Sequence, residues 1–134
     1  MRILHIGNGN EKHAGLRYYD VGRKLQHGLI RNHHNALFFS DRDAARAYGM
    51  FGTKWRGEEA ANLQILDIVK NFQPEMILLG HADIITNDTL ANIRLLQPHV
   101  RIAQFNVDPV FRSENDAAIK ARLPYVDTTF ITGI

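Results

Sequence analysis

Five short apolar runs, each closed by a glycine or a polar turn and separated by stretches of helical period, constrain this chain more than any other feature. Arg2 to Ile6 (RILHI) stops at Gly7, and Asn35 to Ser40 (NALFFS) repeats the pattern. So do Glu75 to Leu79 with Gly80 after it (EMILLG), Arg101 to Asn106 (RIAQFN) and Thr128 to Thr132. Such short, nearly continuous runs read as strands buried on both faces, the pattern of a parallel sheet covered by helices.

The intervening segments supply the helices. Residues 15 to 32 carry Tyr18, Val21, Leu25 and Leu29 near a 3.6 period. Glu58 to Phe72 puts Leu63, Leu66, Val69 and Phe72 on one stripe before Pro74 stops it. Thr86 to Leu96 has Thr or Asp available as its N-cap, and Ser113-Glu114-Asn115-Asp116 opens a further helix with a capping-type Ser. Each crossover is long enough for a parallel return. The chain is therefore expected to be an α/β three-layer sandwich, Rossmann-like or flavodoxin-like, with a parallel five-stranded sheet.

Strand order 2-1-3-4-5 is the first choice and 3-2-1-4-5 the second. Residues 42 to 57 (RDAARAYGMFGTKWRG) are the least legible and leave room for a sixth strand near Tyr48 to Phe51. Ligands of open parallel sheets bind outside the carboxyl ends, where the winding reverses. For the first order, the turns at 7 to 15 and 80 to 86 should face each other there.

Composition closes off several function classes. The 134 residues, 45% apolar and 22% charged, describe one ordinary domain spanning 1 to 134. The chain has no cysteine, which excludes disulfides and thiolate metal sites and makes the cytoplasm the expected location. No apolar run approaches the roughly 20 residues of a membrane helix, so no transmembrane segment is expected. Residues 1 to 56 hold ten Lys or Arg against four Asp or Glu, while 57 to 134 hold six against ten. Five of the seven histidines also lie in the first 34 residues. Arg17, Arg23, Lys24 and Arg31 fit either the solvated side of a helix or an anionic ligand near the first turn. Without a basic run or interleaved aromatics, nucleic acid is not expected.

The turn Gly7-Asn8-Gly9-Asn10, followed by Lys12, His13, Gly15 and Arg17, precedes a helix and so offers an anion cradle. It is not a dinucleotide fingerprint: Lys12 stands where a third glycine is needed, and the acid after the second strand, Asp41, comes about 30 residues on rather than about 20. A phosphate-loop string is absent, as are the clustered acids of a receiver domain and the Asp-x-His-x-x-Gly of a cobalamin loop. His81, with Asp83 to tune it, could accept a proton or simply satisfy loop carbonyls. Asp108 before Pro109 similarly ends the fourth strand, held extended rather than helical, and fits a turn-forming Asp-Pro. His5 reads as a hydrogen-bonded core residue, His27, His33 and His34 as surface, and Tyr18, Tyr19 and Trp55 as core or rim aromatics. No metal site is expected.

RILHIGN, the loop with Arg17 and its paired tyrosine, FQPEMILLGHAD, RIAQFNVDPVF and VDTTFIT together resemble the N-terminal Rossmann-like half of GT-B glycosyltransferases, and within these the CgeB-like group. The resemblance implies a two-domain enzyme with its active site in the cleft between the halves. This half would receive the acceptor, a glycan or phosphorylated molecule, and a missing C-terminal domain would bind the nucleotide-sugar donor; no other cofactor is implied. His13, His81 or Asp108 would then be the catalytic base. Gly9, Lys12, Gly15, Arg17, Asp83 and Asn106 would bind ligand, with Arg17 steadying a phosphate. The chain ends at Ile134 without that second domain, so it is expected to be a fragment, inactive alone. The alternative is a free-standing flavodoxin-like binding or interaction module for a small anion, with the last strand's edge open to self-association.

Overall fold

The computed structural model describes residues 1–18, 20–52 and 55–132. Five parallel strands, β1 (Arg2–Gly7), β2 (Asn35–Ser40), β3 (Met76–Gly80), β4 (Arg101–Asn106) and β5 (Thr128–Ile131), form one sheet in the order β2-β1-β3-β4-β5. This is the expected α/β Rossmann-like sandwich with the first-choice order. The helices are α1 (Val21–Arg31), α2 (Asp41–Tyr48), α3 (Gly57–Phe72), α4 (Asn87–Leu96) and α5 (Ser113–Arg122).

Alternation along β1 divides the core. Leu4 and Ile6 pack with Ala61, Ile65 and Val69 of α3, with Leu90 and Ile93 of α4, and with Ile77 and Leu79 of β3. Ile3 faces the other side, with Leu78, Ala103 and, from α1, Leu25 and Leu29. At the sheet edge, Phe130 and Ile131 of β5 are exposed.

Four local expectations are corrected. The stretch Tyr48 to Phe51 is not a sixth strand: α2 runs through Tyr48 and a 3-10 turn covers Met50–Gly52, with Phe51 at φ 57°. Of the stretch 42 to 57, Thr53 and Lys54 lie outside the described residues, as does Tyr19. Helix α1 begins at Val21 rather than residue 15, because Ala14 and Gly15 adopt left-handed φ of 47° and 86° and Asp20 caps the helix through Arg23 N at 2.9 Å. Arg17 and Tyr18 thus belong to the loop, and Leu63 of the expected α3 stripe is exposed. Finally, Arg112 is the cap residue of α5 and Ser113 makes no capping bond, whereas Thr86 does cap α4 through Thr89 N at 3.2 Å.

Candidate active-site cleft

Because the sheet is parallel and winds both ways from β1, the connections leaving β1 and β3 run to helices on opposite faces, α1 and α4. Register pairs Gly7 with Gly80 at the carboxyl ends of these strands. The turns after β1 and β3 face one another, as the topology demands. Between them, β4 and α1 lies a cleft of about 340 Å3 whose walls include Arg17, Asp20, Arg42, His81, Phe105 and Asp108, with His5 beneath. A neighbouring cleft of about 460 Å3 lies between the β3 and β4 ends and α5; Asp83 and Asn106 line it.

His81 and Asp108, from the ends of β3 and β4, meet across the first cleft, with Nε2 3.6 Å from Oδ2. His81 sits at φ 48°, a left-handed conformation that costs a non-glycine residue of order 1 kcal/mol. The acid beside His81 is Asp108, not Asp83. Asp83 instead takes both Nε and Nη2 of Arg42, at 2.9 and 3.0 Å. Asn106 turns its Oδ1 back to accept from the Asp108 amide at 2.6 Å, which fixes the start of the Asp-Pro turn.

The glycine turn is braced rather than open. Gly9 N donates to Ser40 Oγ at 2.8 Å, and a Cβ on Gly9 would lie 2.9 Å from that same oxygen. Glu11 N donates to Asp43 Oδ2 at 3.2 Å, and Ser40 Oγ donates to the same carboxylate. Asn8 and Asn10 bond each other, and Asn10 Nδ2 reaches Asp20. So Gly9 holds the β1 turn against the β2 turn. Lys12, His13 and Gly15 are not among the cleft's walls; Arg17 is. Loss of solvation and the charges of Arg17, Lys12 and Arg46 hold the His13 imidazole below its usual value. Arg17 lines the cleft beside Val21 and Gly22, which open α1 and whose amides lack intrahelical acceptors.

Two participants escaped the sequence. Asp20 announces itself only as a cap before an apolar period, and Arg42 sat in the illegible stretch. Asp41, weighed only as the acid of a dinucleotide fingerprint, is fully buried at the top of β2. Its Oδ2 accepts from Ile84 N at 3.2 Å and its Oδ1 finds no partner among the described residues. Burial is the main cause of its pKa being pushed up to about 6.

Because the folded value lies above the unfolded one, Asp41 favours the fold while protonated, and that contribution is lost as pH rises from about 4 through 6. Asp41→Asn should therefore gain stability on the wild type over that interval, by about 2–3 kcal/mol in total. Urea unfolding at half-unit pH steps checks it; parallel profiles for the two proteins would refute it.

Among the described residues, no cluster of three or more His, Asp or Glu side chains could hold a metal ion, and no helix is long and apolar enough to cross a membrane. Comparison with protein-family models, curated proteins and solved structures gives no match to this sequence.

Proposed function

We propose that this domain is the acceptor side of a two-domain glycosyltransferase of the GT-B kind, with the β1–β3 cleft as its acceptor site. The observation that carries the reading is the His81–Asp108 pair, 3.6 Å apart on the wall of the switch-point cleft. A histidine backed by a carboxylate suits a general base. His81 takes the proton of an acceptor hydroxyl as that oxygen attacks the anomeric carbon. The bond from that carbon to the nucleotide's phosphate oxygen breaks, and the leaving nucleotide keeps the electron pair. Asp108 steadies the imidazolium that forms, and Arg17 offers positive charge at the rim. The nucleotide sugar is held by a second domain outside these 134 residues.

In that two-domain enzyme, His81→Gln should cut turnover by about 10²- to 10⁴-fold with little change in melting temperature. Steady-state kinetics beside thermal unfolding checks it. Equal losses of activity and stability, or unchanged turnover, would remove His81 from the chemistry. A second reading, a free-standing module for a small anion, is favoured by the gathering of Lys12, Arg17 and Arg46 around His13. That reading expects inorganic phosphate to bind saturably to the isolated domain.

A further inference from the structure

His5 is fully buried, yet half of its hydrogen-bonding capacity is idle. Nδ1 lies 3.1 Å from Gln26 Oε1, while Gln26 Nε2 donates to Ala36 O at 2.9 Å. That second bond orients the amide: only its oxygen is left for His5, so Nδ1 must carry the proton. Burial lowers the pKa of the ring and keeps it neutral, which leaves Nε2 as a bare acceptor. Nε2 has no partner among the described residues.

The ring lies under an opening in the side-chain layer. On the α1 face, the next positions up β1 and β3 are Gly7 and Gly80, paired in register, so two adjacent strands present no side chain above His5. Nε2 sits 3.8 Å from where a Cβ on Gly7 would be, on the side of the ring toward the cleft that His5 underlies. One side chain screens this window. The half-buried Phe105 ring crosses Gly80 so closely that a Cβ there would meet its Cζ at 2.2 Å. Turning that ring off Gly80 joins Nε2 to the cleft.

The rest of the wall is balanced in charge. Arg17 and Arg42 oppose Asp20 and Asp108, and three of these four are already paired: Arg42 with Asp83, Asp20 with Arg23 N, Asp108 with His81. Such a lining alternates donors and acceptors and has no surplus of one sign. It suits hydroxyl groups better than a phosphate.

We propose that the cleft binds a neutral polyhydroxylated ligand, one hydroxyl of which donates to Nε2 of His5 while the ligand's carbon face lies against Phe105. This rests on the cleft being the acceptor site, and it names the acceptor's class as a polyol or sugar.

The test uses glycerol, the smallest probe with the required pattern, and inorganic phosphate as the contrasting anion. The side-chain 15N resonances of the histidines are followed during titration of the wild-type chain. Glycerol should shift His5 Nε2 saturably, together with the amides of Val21 and Gly22, and phosphate should leave Nε2 unmoved. His5→Phe should weaken binding about five- to tenfold. A glycerol titration that leaves Nε2 unmoved, or phosphate that moves it and saturates the cleft instead, overturns the proposal. The wild-type ring signal decides this even if His5→Phe does not fold. The titration involves no sugar transfer, so saturable binding here with no transfer by the two-domain enzyme would sink the transferase reading alone, and transfer by that enzyme without glycerol binding here would sink only the ligand class.

Discussion

Asn62→Ala is expected to remove about 3–5 kcal/mol of unfolding free energy, a large share of what a domain of this size possesses. Asn62 projects from the second turn of α3 into the turn that joins β3 to α4, and all its capacity is in use there. Its Nδ2 donates to Ile84 O at 2.9 Å and to Glu58 O at 2.8 Å. Its Oδ1 accepts from Thr86 N at 3.0 Å and from Thr89 Oγ1 at 2.7 Å. Alanine takes these partners from the Ile84 carbonyl and the Thr86 amide, each loss worth roughly 1–3 kcal/mol, and leaves a void beside them. The same residues stand in for a longer connection: the chain climbs out of β3 at Gly80, passes His81 and Asp83, and is caught at Ile84 and Thr86. Loosening that catch should also blur the position of His81. Urea unfolding measures the loss, and a change under 1 kcal/mol would show that water replaces the side chain without cost.

Gly57→Ala should be at least as damaging as a typical overpacked core substitution, with a loss of about 3 kcal/mol or more. Gly57 opens α3 against α2, and a Cβ built there would lie 1.7 Å from the Ala45 carbonyl oxygen and 2.8 Å from Gly49 N. Those are backbone atoms, so no rotamer relieves the contact. The two helices must separate, and α2 carries Asp41 and Arg42 at its start. A control sits in α1, where a Cβ on Gly28 would meet nothing within 4 Å. Gly28→Ala should raise stability by about 0.5–1 kcal/mol through helix propensity. Similar effects from the two substitutions would contradict the packing described for α2 and α3.

These residues show where the sequence is legible. The strands were readable because each is a short apolar run that the sheet buries on both faces; β2 and β4 match their expected bounds residue for residue. From strand order alone it followed that the turns after β1 and β3 share one rim. Helix boundaries were less legible, since Ala14 and Arg56 take left-handed φ values that neither residue type advertises. The Gly7-Asn8-Gly9-Asn10 turn looked like a cradle, but Gly9 is needed for contact with Ser40, a partner 31 residues away. His5 was correctly placed in the core, yet its idle nitrogen depends on the orientation of Gln26 and on two glycines that pair only in the folded sheet. Asn62 and Asp41 tie down Ile84, 22 and 43 positions distant, beyond the reach of any local pattern.

These 134 residues hold no cysteine, so a Cys introduced here is the single thiol on this domain and makes the most direct test of the cleft. A single Cys introduced at Val107, on the cleft wall, is alkylated with a bulky reagent, beside a control at Leu96, which lines a different hollow with Gln73 and Gln97. Sugar transfer by the proposed two-domain enzyme, with any cysteine of its second domain replaced, is measured before and after labelling. Blocking position 107 should abolish transfer while the label at 96 leaves it intact; full activity after labelling at 107 would contradict the assignment of function to this cleft.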